Sequence, residues 1–219
     1  MACKAKFSAI KHSRFVKSKP MVRSVGTRVV RKRYLIVCEG EKTEPNYFKS
    51  FVRILPRGSV QVDVVGEGCN TLSLVEDAEK RSKKSSKRNM PYDRVWVVFD
   101  RDSFSPSNFD NAISKAESKG FGCVWSNEAF ELWYILHFEY RNTGMSRDEY
   151  KGRLTAHIGE EYKKNDPDMY GKLVDKQQDA IRNATKLLGT HGRLPPSRSN
   201  PATTVHKLVQ ELVALQDIR

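Results

Sequence analysis

YLIVCEGEKTEPNYF, residues 34–48, begins as a strand and stops on a charge. Tyr34 to Cys38 are mostly apolar and run straight into Glu39; Gly40 follows, then Glu41, Lys42 and Glu44. A short apolar run closed by a turn residue reads as a buried strand. A second stretch, RVWVVFDRD at 94–102, repeats the pattern and ends on Asp100 and Asp102. It is apolar on both faces, as a central parallel strand is.

Working outward, TEPNYFKSFVRIL predicts a helix with Thr43 as its N-cap and Pro45 in its first turn. SVQVDVV alternates and predicts a strand. Asn70 is placed to cap a helix over 71–81, which leads into the basic run KRSKKSSKR at 80–88, read as a solvated helix end or loop, with phosphate contact as the alternative. A helix over about 108–119 follows, then GFGCVWS as a fourth strand. NEAFELWYILHF predicts a helix with Asn127 as cap. Strand and helix alternate through residue 140, which calls for an α/β fold with a largely parallel sheet. Beyond it, 146–157, 168–188 and 201–216 read as helices, the last opened by Asn200 and Pro201. The expected organisation is a basic arm over 1–32, an α/β core over 33–140 and a helical region over 141–219 packed on that core.

Ligands in parallel α/β sheets gather beyond the carboxyl ends of the strands. If the strands ending at Glu39 and Asp100 are neighbours, three carboxylates converge there, because residues two apart on an extended chain face the same way. Clustered carboxylates repel one another and call for a cation. Oxygen-only ligands select Mg²⁺ or Mn²⁺. The plainer alternative is that these acids cap the next turn and helix. Lys42 and Arg101 are placed either to meet phosphate oxygens or to pair with the acids.

The four cysteines form no CxxC pair and the five histidines are scattered, so a zinc site is not expected. Cys38 and Cys123 read as buried thiols. No membrane span or secretory signal is apparent, which points to a cytoplasmic protein. The net charge of +13 is uneven: 11 of the 39 basic residues lie in residues 1–33 without one acid. Arg31, Lys32 and Arg33 close that arm, which suits a nucleic-acid backbone or serves as a solvated tail. No GxxxxGK[ST] motif is present, so ATP binding through a P-loop is excluded. His137 and the helix-spaced Phe130, Trp133, Tyr134 and Phe138 read as core.

Four blocks, LIVCEGEKTEPNYF, VWVVFDRD, SNEAFELWYILHF and SNPATTVHKLV, lie in an order that resembles the RloB family, also called the AbiLii type. A strand ending in EG followed by one ending in DxD is similar to the Toprim fold of topoisomerases, primases and related nucleases. The resemblance implies a Toprim-like core in which Glu39 matches the Toprim glutamate and Asp100 and Asp102 the DxD pair. A further acid usual after DxD is missing, so Glu128, Glu131 and Glu44 are the remaining candidates for metal. It further implies a metal-dependent nuclease acting on DNA or RNA, tRNA included, in prokaryotic antiphage defence beside an ATPase partner. Two other readings stay open. One is a non-catalytic nucleic-acid-binding module. The other is a phosphohydrolase with Asp100 as nucleophile, since VVFDRDSF also resembles the haloacid-dehalogenase type of phosphatase.

Overall fold

A computed structural model describes residues 32–56, 60–68, 71–101 and 105–216. Five strands form one sheet: β1 (Lys32–Cys38), β2 (Val60–Gly66), β3 (Arg94–Asp100), β4 (Gly122–Asn127) and β5 (Ala202–Thr203). Their order is β2-β1-β3-β4-β5, parallel except where β5 pairs antiparallel with β4. Eight helices accompany them among the described residues: α1 (Thr43–Val52), α2 (Thr71–Lys87), α3 (Pro106–Ser118), α4 (Glu131–Ile135), α5 (Arg147–Ile158), α6 (Met169–Leu173), α7 (Gln177–Thr190) and α8 (Val205–Ala214). The fold is α/β with a five-stranded, mostly parallel sheet flanked by helices, as the alternating pattern predicts, and is consistent with the Rossmann-like, Toprim-like core that the resemblance implies.

Period-two alternation sorts the central strands between two cores. Leu35, Val37, Val97 and Phe99 pack on α2 and α3. Tyr34, Ile36, Cys38, Trp96 and Val98 face α1, α4 and the C-terminal helices. Phe48 and Phe51 of α1 are fully buried on that second side, each contributing about 1.5–3 kcal/mol of burial. Phe130, Trp133 and Tyr134 are buried there too, and Tyr47 meets Phe130 edge-on at 5.8 Å. His137 is core as expected: its Nδ1 lies 2.9 Å from the Trp133 carbonyl and burial pulls its pKa down to about 4.

Several local expectations are corrected. Thr43 does not cap α1; its hydroxyl donates to the Lys164 carbonyl at 3.1 Å. α2 does carry the basic run as its end, through Lys87; Leu74, Val75 and Ala78 anchor it, and Ser85 is buried near its close. Asn127 is the last residue of β4, and its amide donates to the Pro196 and Ser199 carbonyls at 3.2 and 2.9 Å. The helix after it shortens to α4. The 168–188 helix is broken by a 3₁₀ turn at Val174–Lys176. The last helix starts at Val205, since Ala202–Thr203 is claimed by the sheet. There the Thr203 hydroxyl lies 3.0 Å from that of Ser126, and the Thr204 hydroxyl accepts from the Trp125 N–H at 2.9 Å. Asn70 lies outside the described residues. No described helix is long and apolar enough to cross a membrane.

Candidate active site

The sheet order contains a switch point. From β1 the chain moves outward to β2, then returns past β1 to β3, so connections leave β1 and β3 in opposite directions. α1 covers one face and α2 and α3 the other. A crevice opens at such a point beyond the strand ends, and ligands bind there in open α/β sheets. β1 and β3 are in register with Cys38 opposite Val98, so Glu39 comes opposite Phe99, one residue short of Asp100. The Glu39 N–H continues the ladder to the Val98 carbonyl at 2.9 Å. Its carboxylate accepts from the Asp100 N–H at 3.1 Å and, more weakly, from the Thr71 hydroxyl at 3.5 Å.

The glycine after Glu39 is a packing requirement. A Cβ at Gly40 would overlap the carboxylate of Glu44, which folds back over the turn. Gly66 at the end of β2 is equally confined, 2.6 Å from the Gly40 carbonyl for an added Cβ. Glu44 is only 6% exposed. Burial pushes its carboxyl above the usual range, assisted by the Glu131 charge and opposed by Lys164 and by the Glu44 and Gly40 N–H groups.

Asp100 closes β3 on the same face as Trp96 and Val98. One oxygen, Oδ2, accepts from the Phe130 N–H at 3.0 Å. The other, Oδ1, is buried and has no hydrogen-bond partner among the described residues. Burial, then the Glu44 and Glu131 charges and to a lesser degree that of Glu39, raises this carboxyl well above its usual range. Unpaired buried acceptors cost about 1–3 kcal/mol, so this oxygen is either protonated or matched by a ligand.

These acids share a cavity of about 430 Å³ whose lining includes Glu39, Glu44, Asp100 and Glu131 together with Lys42, Arg147 and Lys164. Its far wall is strapped on by side chains one helical face apart. Thr43, Asn46 and Ser50 of α1 donate to the carbonyls of Lys164, Asn165 and Pro167 at 3.1, 3.1 and 3.0 Å. Glu131 is oriented by the Tyr162 hydroxyl, which donates to its Oε1 at 3.1 Å.

The model of the RloB-like protein family matches residues 34–212. The chain belongs to the RloB-like family. No curated protein and no solved structure gives a significant match.

In this RloB-like chain the sequence-predicted site residues divide. Glu39, Asp100, Glu44, Glu131 and Lys42 share one cavity. Glu128, half-buried after β4, does not line it. Arg101 turns to the other face, where its guanidinium reaches Asn127 Oδ1 at 3.4 Å. Lys32 and Arg33 start β1 and stand roughly 20 Å from Glu39, at 3.3 Å per strand residue. Asp102 and Arg31 lie outside the described residues. Sequence reasoning missed Arg147, Lys164, Tyr162 and Thr71, whose types and spacing carry no motif.

Among the described residues no three histidine, cysteine or acidic groups stand ready to hold a metal ion. The donor chemistry nonetheless suits a hard cation: oxygen ligands only, one of them buried and unpartnered, with carboxyls raised by burial first and by neighbouring acids second.

Proposed function

We propose that this RloB-like chain is a Mg²⁺- or Mn²⁺-dependent nuclease that hydrolyses phosphodiester bonds of DNA or RNA. The observation that carries the reading is the unpartnered Asp100 Oδ1, set among Glu39, Glu44 and Glu131 at the β1/β3 switch point. Asp100 and Glu39 are the residues that would hold the ion, with Asp102 as the expected third ligand and Glu131 at the edge. A bound divalent ion supplies Lewis-acid stabilisation of charge developing on the phosphoryl oxygens. Lys42, exposed at the mouth, draws the phosphate in. Glu44, with its raised carboxyl, is the better proton donor to the leaving oxygen. Glu39 already accepts hydrogen bonds from Asp100 N–H and Thr71, which suits a ligand. A role as effector in prokaryotic antiphage defence, with an ATPase partner supplying the P-loop this chain lacks, is part of the proposal and rests on the family.

The test is cleavage of plasmid DNA, single-stranded DNA and total tRNA in Mg²⁺, Mn²⁺ or EDTA, with and without the neighbouring ATPase. Metal-dependent cleavage lost in Glu39→Gln and Asp100→Asn is expected. Metal-independent phosphate release with a trapped phospho-adduct on Asp100 would replace this reading by the phosphohydrolase one.

A further inference from the structure

A second cavity, also about 430 Å³, opens off the carboxylate cleft. The two share Asp100, Glu131, Arg147 and Lys164 as lining. The second is walled by the first turns of α5 and the segment 161–164. Its volume falls within the roughly 300–1,000 Å³ of small-ligand sites. Tyr150 lies in its wall, only 2% exposed, and its hydroxyl has no hydrogen-bond partner among the described residues. Tyr162 lies beside it with its hydroxyl committed to Glu131. Arg147, Lys151, Lys163 and Lys164 supply positive charge and Asp100, Glu131, Asp148 and Glu161 negative; Lys151 is paired with Glu161 at 3.3 Å on the exposed rim.

We propose that this second cavity is a nucleotide subsite. It holds the residue of the nucleic-acid chain next to the scissile phosphate, with its phosphate against Arg147, Lys163 and Lys164 and a polar edge on the Tyr150 hydroxyl. The substrate class rests on the nuclease reading; the subsite rests on the cavity. A buried hydroxyl is retained where something pairs with it, because leaving it bare is unfavourable. Continuity with the carboxylate cleft decides what that partner is. A chain whose phosphodiester sits at Asp100 must leave the cleft on one side or the other, and this side offers a pocket of nucleotide size with Arg147, Lys163 and Lys164 in its wall.

The experiment is calorimetric titration of the full chain with each nucleoside 5′-monophosphate and with inorganic phosphate. A mononucleotide is the probe because a long polyanion would also engage the acid-free basic residues 1–33. Wild type is expected to bind at least one nucleotide more tightly than phosphate. Tyr150→Phe keeps the ring and is expected to weaken binding about threefold to tenfold, the scale of one hydrogen bond. Its melting temperature should be equal to or above wild type, since a bare buried hydroxyl is removed. Lys163→Ala combined with Lys164→Ala should weaken binding by roughly tenfold or more. Nucleotide binding no tighter than phosphate, or unchanged in Tyr150→Phe, overturns the subsite. Tyr150-dependent binding without any cleavage would sink the nuclease reading and leave the subsite standing. Cleavage whose KM ignores Tyr150 would do the reverse.

Discussion

The two ends of β1 are both rich in charge and treat it oppositely. At the amino end Arg33 donates to the Ser85 hydroxyl at 3.0 Å and to the Met90 carbonyl, and lies 3.5 Å from the Asp63 carboxylate. Its guanidinium stacks on Tyr92 at 4.5 Å, and the Tyr92 hydroxyl donates to Asp63 at 2.6 Å. One guanidinium nitrogen, Nε, is left over. At the carboxyl end five carboxylates, those of Glu39, Glu41, Glu44, Asp100 and Glu131, line one cleft, and Asp100 has a buried oxygen with no hydrogen-bond partner among the described residues. Charges that satisfy each other tie β1 to β2 and to the end of α2. Carboxylates crowded into one cleft, even with Lys42, Arg147 and Lys164 in its lining, cost stability and keep affinity for a cation.

That contrast is broken most sharply at Asp100. Asp100→Asn preserves shape and can still accept the Phe130 N–H, yet removes one negative charge. Metal-dependent cleavage is expected to fall at least about 100-fold, a loss that even outer partners of a metal ligand can produce. The melting temperature should not fall. A variant that is both inactive and unstable would make Asp100 a structural residue instead.

Gly40→Ala attacks the same end through sterics. The new methyl displaces the Glu44 carboxylate, at a cost of about 1–3 kcal/mol for overpacking. Cleavage should drop by roughly tenfold if Glu44 serves in proton transfer. The mirror experiment is Arg33→Met. It leaves Asp63 and Ser85 short of a partner and should destabilise by about 1–3 kcal/mol, with cleavage per folded molecule unchanged. Loss of activity in folded Arg33→Met would show that the amino end shares in function.

How much of this was readable follows from the range of the interactions. β1 and β3 are legible because apolar runs ending in acids are local signals, and their adjacency completes the Glu39–Asp100 pairing. The cleft's far wall is not, because Thr43 and Lys164 are 121 residues apart, and Thr43 looks like an ordinary cap. β5 escaped for a similar reason. Two residues carry no periodicity, and what fixes them is distant in sequence: the antiparallel pairing with β4 and hydroxyl contacts with Ser126 and Trp125. Arg101 looked equivalent to Lys42 in sequence; strand alternation sends it to the opposite face. Tyr150 was invisible as a site residue because a buried tyrosine on a helix reads as core until its hydroxyl is found without a partner.

The smallest effect concerns pH, and its sign separates the two ends. Burial and neighbouring charges raise the carboxyls of Asp100 and Glu44 in the folded chain. A group whose folded pKa lies above its unfolded value binds more protons when folded. Its unfavourable contribution is therefore full above the folded pKa and vanishes below the unfolded one, roughly 4 for a carboxyl. In metal-free buffer the Asp100→Asn variant should melt higher than wild type near neutral pH. The gap should be a few degrees, at about 2–4 °C per kcal/mol for a chain of this size, and should close as the pH falls toward 4. Surface carboxylates held low by cations, such as Glu79 beside Lys119 and Lys83, titrate alike in both proteins and cancel in the difference. Mg²⁺ should raise the wild-type melting temperature at neutral pH and leave the variant nearly unmoved. A gap that widens in acid would mean that Asp100 is stabilised as an anion, and the distinction between the two ends would collapse.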